Sequence, residues 1–274
     1  MRVLMGEILP NQLSEADLAA LQRAVRSLER ESLAMRLATL LRKPIGHFDR
    51  LVPATVGNAA SQVSEAALRL TLRLTLRSRF SVWRDHSGRW HKTLATLAGA
   101  TGGAFGLPAL AVELPISTGL LLHAIAEIAR AEGEDLSKPE ATLACLEVFA
   151  LGETSSRGKV GDIGYHAIRA ALARSVASLS RYAVERGFAE QSAPIFARAI
   201  SQIAERFGIM VSQKLAAQAV PVLGAVSGAA INAAFMSHFQ SKARGHFVIR
   251  RLERIYGRDL ITAAYAEMKL AEGL

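Results

Sequence analysis

Apolar residues recur along this chain mostly at intervals of three and four, the spacing of one face of an α-helix. The first stripe is Leu18, Leu21, Val25 and Leu28, preceded by Ser14-Glu15-Ala16-Asp17. That tetrad predicts a capped N-terminus, with the serine hydroxyl accepting from an orphan amide while Asp17 reaches back. The helix is expected to run on to Lys43-Pro44, where proline stops it. Gly46, Pro53 and Gly57 then mark a loop. Later helices are expected through Ile128 with Pro115 in an early turn, and from about Ser137 to Gly152 with Pro139 and Glu140 in the first turn. Two more are expected over about 164–187 and 191–207, with 152–164 as the most loop-like stretch between elements.

Residues 68–77, Leu-Arg-Leu-Thr-Leu-Arg-Leu-Thr-Leu-Arg, alternate strictly, which is also the pattern of a half-buried strand. No second stretch alternates in this way, and a lone strand leaves both edges unpaired. As a helix, the segment lines up Leu68, Leu72 and Leu76 on one side and Arg69, Arg73 and Arg77 on another. The expectation is helix.

Two blocks are nearly free of charge. Thr93–Val112 carries none, Glu113 interrupts, and Leu114–Ala126 is again uncharged apart from His123; Leu215–Ser237 is a second run of 23 residues. Each approaches the roughly 20 residues that span a bilayer. Both are rich in Gly and Ala and contain a proline, Pro108 or Pro221. Gly99/Gly103, Gly102/Gly106 and Gly224/Gly228 are Gly-x-x-x-Gly pairs, which let helix backbones approach closely either in lipid or in a soluble core.

Composition sharpens this picture. Half of the 274 residues are apolar and only 6% aromatic, and mean hydropathy is +0.21, which excludes intrinsic disorder and favours helices over sheets. The single cysteine, Cys145, excludes an internal disulfide or a cysteine metal cluster and fits a reducing compartment. Met1 to Pro10 does not read as a secretory signal, because its apolar run is too short. Net charge is +9, distributed in blocks: −2 over 1–19, +9 over 20–92, −6 over 93–153, +5 over 154–214 and +3 beyond. Such a surplus points to an anionic partner. Oppositely charged helix faces pairing with one another is the plainer account of the blocks.

Catalytic signatures are missing. Gly152 to Gly158 spaces five residues rather than four, with Val160 where a phosphate loop needs Ser or Thr. Ser156-Arg-Gly-Lys159 lacks the companion motifs of a serine–lysine enzyme. No two histidines stand at i, i+4, so no metal or other cofactor is expected. Glu113, His123 and Glu127 are weak catalytic candidates: ionisable groups in or beside an apolar block, with His123 and Glu127 one turn apart. His238 and His246 share a helical face only if the helix continues through Gly245.

Several stretches resemble the EcsC family: Leu114-Pro-Ile-Ser-Thr-Gly-Leu-Leu-Leu-His123 onward to Arg130, Cys145-Leu-Glu-Val-Phe-Ala-Leu-Gly152, Gly164-Tyr-His-Ala-Ile-Arg169 onward to Leu172, Ala217 to Asn232, His238-Phe-Gln240, and Ala243 to Glu253. The resemblance implies a bacterial, mainly helical protein whose namesake accompanies an ABC transporter. It brings no agreed activity and no catalytic residue set.

The fold expectation is therefore an all-α, multi-helix single domain with its two Gly/Ala-rich apolar segments packed centrally. Its parts are an N-terminal amphipathic region at 1–43, an EcsC-like helical domain at 44–258 and a helical tail at 259–274. The functional expectation is a non-enzymatic protein of the cytoplasmic face that meets an anionic membrane surface or a membrane transporter. Its interface would be Trp83, Arg84, Arg89, Trp90 and Lys92 before the first block, and Lys242, Arg244, Arg250, Arg251 and Arg254 after the second. Helix packing would rest on Gly99, Gly102, Gly103, Gly106, Gly224 and Gly228. The alternatives are a hydrolase or lipid-modifying enzyme using the Glu/His set, and nucleic-acid binding, which is not expected without a helix-turn-helix or interleaved aromatics.

Overall fold

The computed structural model describes residues 13–29, 32–41, 54–77, 107–152, 164–186, 194–218 and 225–274. The elements among them are helices: α1 (Glu15–Glu29), α2 (Leu33–Leu41), α3 (Ala54–Arg77), α4 (Leu107–Ala131), α5 (Pro139–Ala150), α6 (Tyr165–Arg186), α7 (Pro194–Gln218), α8 (Ala225–Tyr256) and α9 (Arg258–Ala271). The fold is all-α, as the spacing of apolar positions predicts. Residues 68–77 are helical within α3, whose buried face comprises Ala60, Ser64, Ala67, Leu68 and Thr71, while Arg69 turns aside to pair with Glu65.

Helix ends follow local chemistry. At α1 the Asp17 amide donates to Ser14 Oγ at 3.1 Å, as expected of the cap. Asp17 returns the contact to the Ser14 hydroxyl rather than to its amide, and the Ser14 amide points to Tyr256 Oη at 3.4 Å instead. The single helix expected up to Lys43 is two helices. Ser32 is a second N-cap, its Oγ accepting from the Met35 amide at 3.1 Å, and it starts α2 afresh. α4 starts well before Pro115, at Leu107, so Pro108 takes the early-turn position and Pro115 sits inside the helix. Just past the end of α4, Gly133 has a φ of +81° that lets Gly133 and Glu134 donate back to Arg130 and Ala129. α7 continues past residue 207 and through Gly208 to Gln218.

α8 is the axis of the fold, and α1, α2, α4, α5, α7 and α9 all pack against it. α7 is a second hub, in contact with α2, α3, α5 and α6. Where α5, α7 and α8 meet, Phe149, Phe207, Phe235 and Phe239 interlock with ring centroids between 4.9 and 6.2 Å. Four of the chain's phenylalanines thus meet at one junction, where edge-to-face contacts add to area burial.

Two glycines set the helix separations. A Cβ on Gly208 would lie 2.5 Å from Ser61 Oγ and 2.8 Å from Ser61 Cα, so α3 and α7 cross there nearly backbone to backbone. A Cβ on Gly245 would lie 2.5 Å from Ser27 Oγ and 2.7 Å from Leu28 Cγ, which fixes how closely α1 lies on α8. Neither belongs to a Gly-x-x-x-Gly pair. Gly228 is buried in α8, while Gly99, Gly102, Gly103, Gly106 and Gly224 lie outside the described residues.

The described parts of the two apolar blocks are core. Leu114, Leu121, Leu122, Ile125 and Ala126 from the first, and Ala216, Ala217, Ile231 and Phe235 from the second, are buried. Among the described residues, no helix is long and apolar enough to cross a membrane.

Candidate functional site

Glu113, His123 and Glu127 all lie on α4, yet they do not converge. Glu113 is buried and accepts from Lys214 Nζ at 2.5 Å, across to α7. That ammonium also stands 5.2 Å from the centre of the Phe235 ring. Burial pushes the Lys214 pKa down, with Glu113 working against it. His123, ten residues and about 15 Å further along the helix, meets Glu127 instead at 3.2 Å. The Glu127 side chain is 44% exposed, so the pair is not a desolvated acid–base couple.

In the basic stretch following the second block, Lys242 is buried, which corrects its reading as an interface residue, and three of the arginines are paired with the protein's own carboxylates. Lys242 has none of its surface exposed, and its Nζ donates to Leu28 O at 2.8 Å. Arg250 makes a two-pronged contact with Glu134 at 2.8 and 3.1 Å. Arg254 shares Glu134 and also donates to Glu132 O at 2.7 Å. Arg251 bridges Asp17 and Glu132 at 2.9 Å each. The acidic segment after α4 has folded onto the basic end of α8, the plainer account of the charge blocks. Arg244 alone among these five is exposed and without a carboxylate partner among the described residues. Trp83, Arg84, Arg89, Trp90 and Lys92 lie outside the described residues, as does most of the 152–164 loop.

α8 runs unbroken through Gly245, so His238, Lys242 and His246 form a ladder at i, i+4 and i+8, wholly buried. Each rung has a structural partner. His238 Nε2 lies 2.6 Å from the carbonyl of Gly152, just past the end of α5, and Lys242 caps the last turn of α1. Both therefore satisfy carbonyls that a helix end leaves orphaned, with positive or donor character where the dipole favours it. His238 Nδ1 faces no hydrogen-bond acceptor. A proton there would be buried without a partner, and burial, with Lys242 adding to it, brings the His238 pKa down to about 3. Burial likewise brings Lys242 down to about 7, although Glu29 opposes the shift.

His246 shares a 3.1 Å hydrogen bond with Tyr165 Oη and lies 3.7 Å from Glu147. Burial holds His246 well below its ordinary pKa and lifts Glu147 above its own. Tyr165 stacks on Tyr265, whose hydroxyl donates to Glu29 at 2.8 Å. Glu29 also accepts from Lys269 Nζ at 2.9 Å and from the Tyr165 amide at the start of α6. Burial alone would raise Glu29, but these donors hold its carboxyl below the usual range. An acid–histidine–tyrosine set of this kind resembles catalytic equipment. Its members are sealed in the core, however, and together tie the ends of α1, α6 and α9 to α8.

One opening on the described surface is bordered by several polar groups. It is a groove of about 340 Å³ between α1 and α8. Arg23, Arg244 and Arg251 stand around it with Glu132, Ser27 and Ser241. Its apolar wall is Ala20, Ala24 and Val248 with Gly245. Arg251 answers Glu132. Arg23 and Arg244 are exposed, with no carboxylate partner among the described residues. Arg36, bonded to Ser237 Oγ at 3.2 Å, lies near enough to Arg244 for their charges to repel.

The model of the EcsC protein family matches residues 15–252. The chain belongs to the EcsC family. No curated protein and no solved structure matches it. The EcsC match spans α1 to the last turns of α8 and so contains every residue of the groove, while α9 follows it.

In this EcsC chain, sequence reasoning found Arg244 and Arg251 but missed Arg23, whose partner helix lies more than two hundred residues away. It also treated Lys242 as surface. The available signal was the apolar company of Lys242: Phe235, Phe239 and Ile249 share its helical face at spacings of seven and three.

Proposed function

We propose that this EcsC protein carries out no reaction and acts by associating peripherally with an anionic bilayer surface. The observation that supports this most is the charge left over on the face shared by α1 and α8. Internal ion pairs remove one charge of each sign, so they cannot reduce the net +9. On that face Arg23 and Arg244 stand exposed beside a groove without carboxylate partners among the described residues. A basic surface beside small apolar residues draws anionic lipid, with each cationic side chain near the surface contributing about 1 kcal/mol. Association would be peripheral, because the described apolar segments are already occupied as core. An accessory role beside a membrane transporter, which the family's namesake implies, is compatible with such a location. Enzymatic use of Glu113, His123 and Glu127 has no support in their positions.

Flotation tests the reading. The full chain should float with vesicles of 30% phosphatidylglycerol in phosphatidylcholine at low ionic strength, remain behind with phosphatidylcholine alone, and be released by about 0.5 M salt. Protein that stays in the dense fraction with the anionic vesicles at low salt rules the proposal out.

A further inference from the structure

We infer that the α1–α8 groove is a discrete phosphate-binding site that takes the phosphate of one anionic lipid headgroup. The lipid source rests on the proposed membrane association; the phosphate chemistry rests on the groove itself.

Guanidinium groups are planar forks that match phosphate oxygens in pairs, and they keep their charge at any physiological pH. Here Arg23 comes from α1 and Arg244 from α8, so an oxyanion held by both is gripped from two sides of the groove. The third guanidinium, Arg251, is held in place by Asp17 and Glu132 at 2.9 Å each, a fixed wall rather than a mobile side chain. Arg36, outside the groove, is near enough to Arg244 for the two charges to repel. Bringing like charges together on one surface is unfavourable, and an anion between them relieves it.

Shape supports a headgroup over a bare ion. The space is of the size of a small-ligand site and larger than one phosphate needs. Val248, with the small exposed part of Ala20, forms an apolar edge beside the arginines that a glycerol carbon can touch. At Gly245, in the same wall, α1 and α8 approach closely.

The decisive experiment compares two double variants of equal charge. Arg23→Gln/Arg244→Gln removes the groove pair. Arg174→Gln/Arg198→Gln removes two exposed arginines, also without ion-pair partners among the described residues, from α6 and α7. Both should retain the wild-type thermal melt. Binding is measured to phosphatidylglycerol-containing vesicles, and separately the melting temperature is followed with glycerol 3-phosphate as a soluble probe. The groove variant should lose vesicle affinity about tenfold or more and the control about threefold or less. Equal losses for the two variants mean diffuse attraction: the groove site is overturned and membrane association stands. Melting raised by glycerol 3-phosphate in wild type and not in the groove variant, with no vesicle binding by either, overturns the lipid source and the membrane reading while the phosphate site survives. No response to either probe overturns both.

Discussion

α8 presents two polar faces that behave as opposites. His238, Lys242 and His246 lie along one line of the helix, fully buried, and hold the ends of α1, α5 and α6. About a third of a turn away, Ser241, Arg244, Val248 and Arg251 open onto the groove. Both faces are built from residue types that look alike in a sequence. What separates them is the company of each side chain: phenylalanine and leucine from α1, α5 and α7 around the first face, and the exposed rim of α1 around the second. Charge density alone therefore says little about the surface of this protein. A lysine used to cap a helix end inside the core and an arginine left for an anion outside it stand two positions apart.

The comparison makes its largest prediction for buried charge. Lys214→Met leaves Glu113 in the core without its ammonium, and should destabilise the fold by about 3–5 kcal/mol. Adding Glu113→Leu should recover most of that loss, since replacing both partners by apolar groups is often neutral. Chemical denaturation of the wild type, both single variants and the double variant measures it. A double variant as unstable as Lys214→Met would show that this pair sets the geometry of the core, beyond merely compensating its own burial.

A second effect is expected from the ladder, read through pH. Lys242 titrates near 7 when folded and near 10.5 when unfolded, so between those values the unfolded chain binds more protons. Stability should rise with pH across that window, at up to about 1.4 kcal/mol per pH unit. Above about 10 the buried Tyr165 and Tyr265, raised above their ordinary values, oppose the gain. On the acid side, His238 and His246 are depressed in the folded state, so stability falls as pH drops below about 6.5 toward 3. Lys242→Met should flatten the alkaline rise while leaving the acid limb in place. Melts at pH 4, 5, 6, 7, 8 and 9 separate the two limbs. An unchanged alkaline slope in the variant would remove Lys242 as its source.

How far the sequence could be read follows the same division. Periodicity and caps identify the helices, including the alternating stretch at 68–77, because such signals are local. The places where the reading slips are those where a distant residue decides. Ser32 divides one expected helix into α1 and α2, and Pro115 is accommodated inside α4 because the apolar run begins at Leu107. Glycines that matter for close packing among the described residues, Gly208 and Gly245, are isolated ones whose partners, Ser61 and Ser27, lie on other helices. The basic tail of α8 was legible as charge, but not as the counterpart of Asp17, Glu132 and Glu134. Arg23 and Arg244 illustrate the limit best: 221 positions apart in the chain, they form one groove only because α1 lies along α8.

The smallest predicted effect is the sharpest test of the contrast. Arg23→Gln/Arg244→Gln removes two charges from the outer face, and should change folding stability by no more than about 0.5 kcal/mol. Neither guanidinium has a carboxylate to lose among the described residues, and Arg36 gains by the departure of a like charge beside it. The direction expected is therefore neutral to slightly stabilising, more so at low ionic strength, where repulsion between exposed charges is least screened. Denaturant midpoints at about 10 mM and 150 mM salt resolve this. A loss of 1 kcal/mol or more would mean that these arginines already serve the fold, as Lys242 does, and that the two faces of α8 differ in depth alone. A neutral result leaves the outer pair as charge that folding does not use.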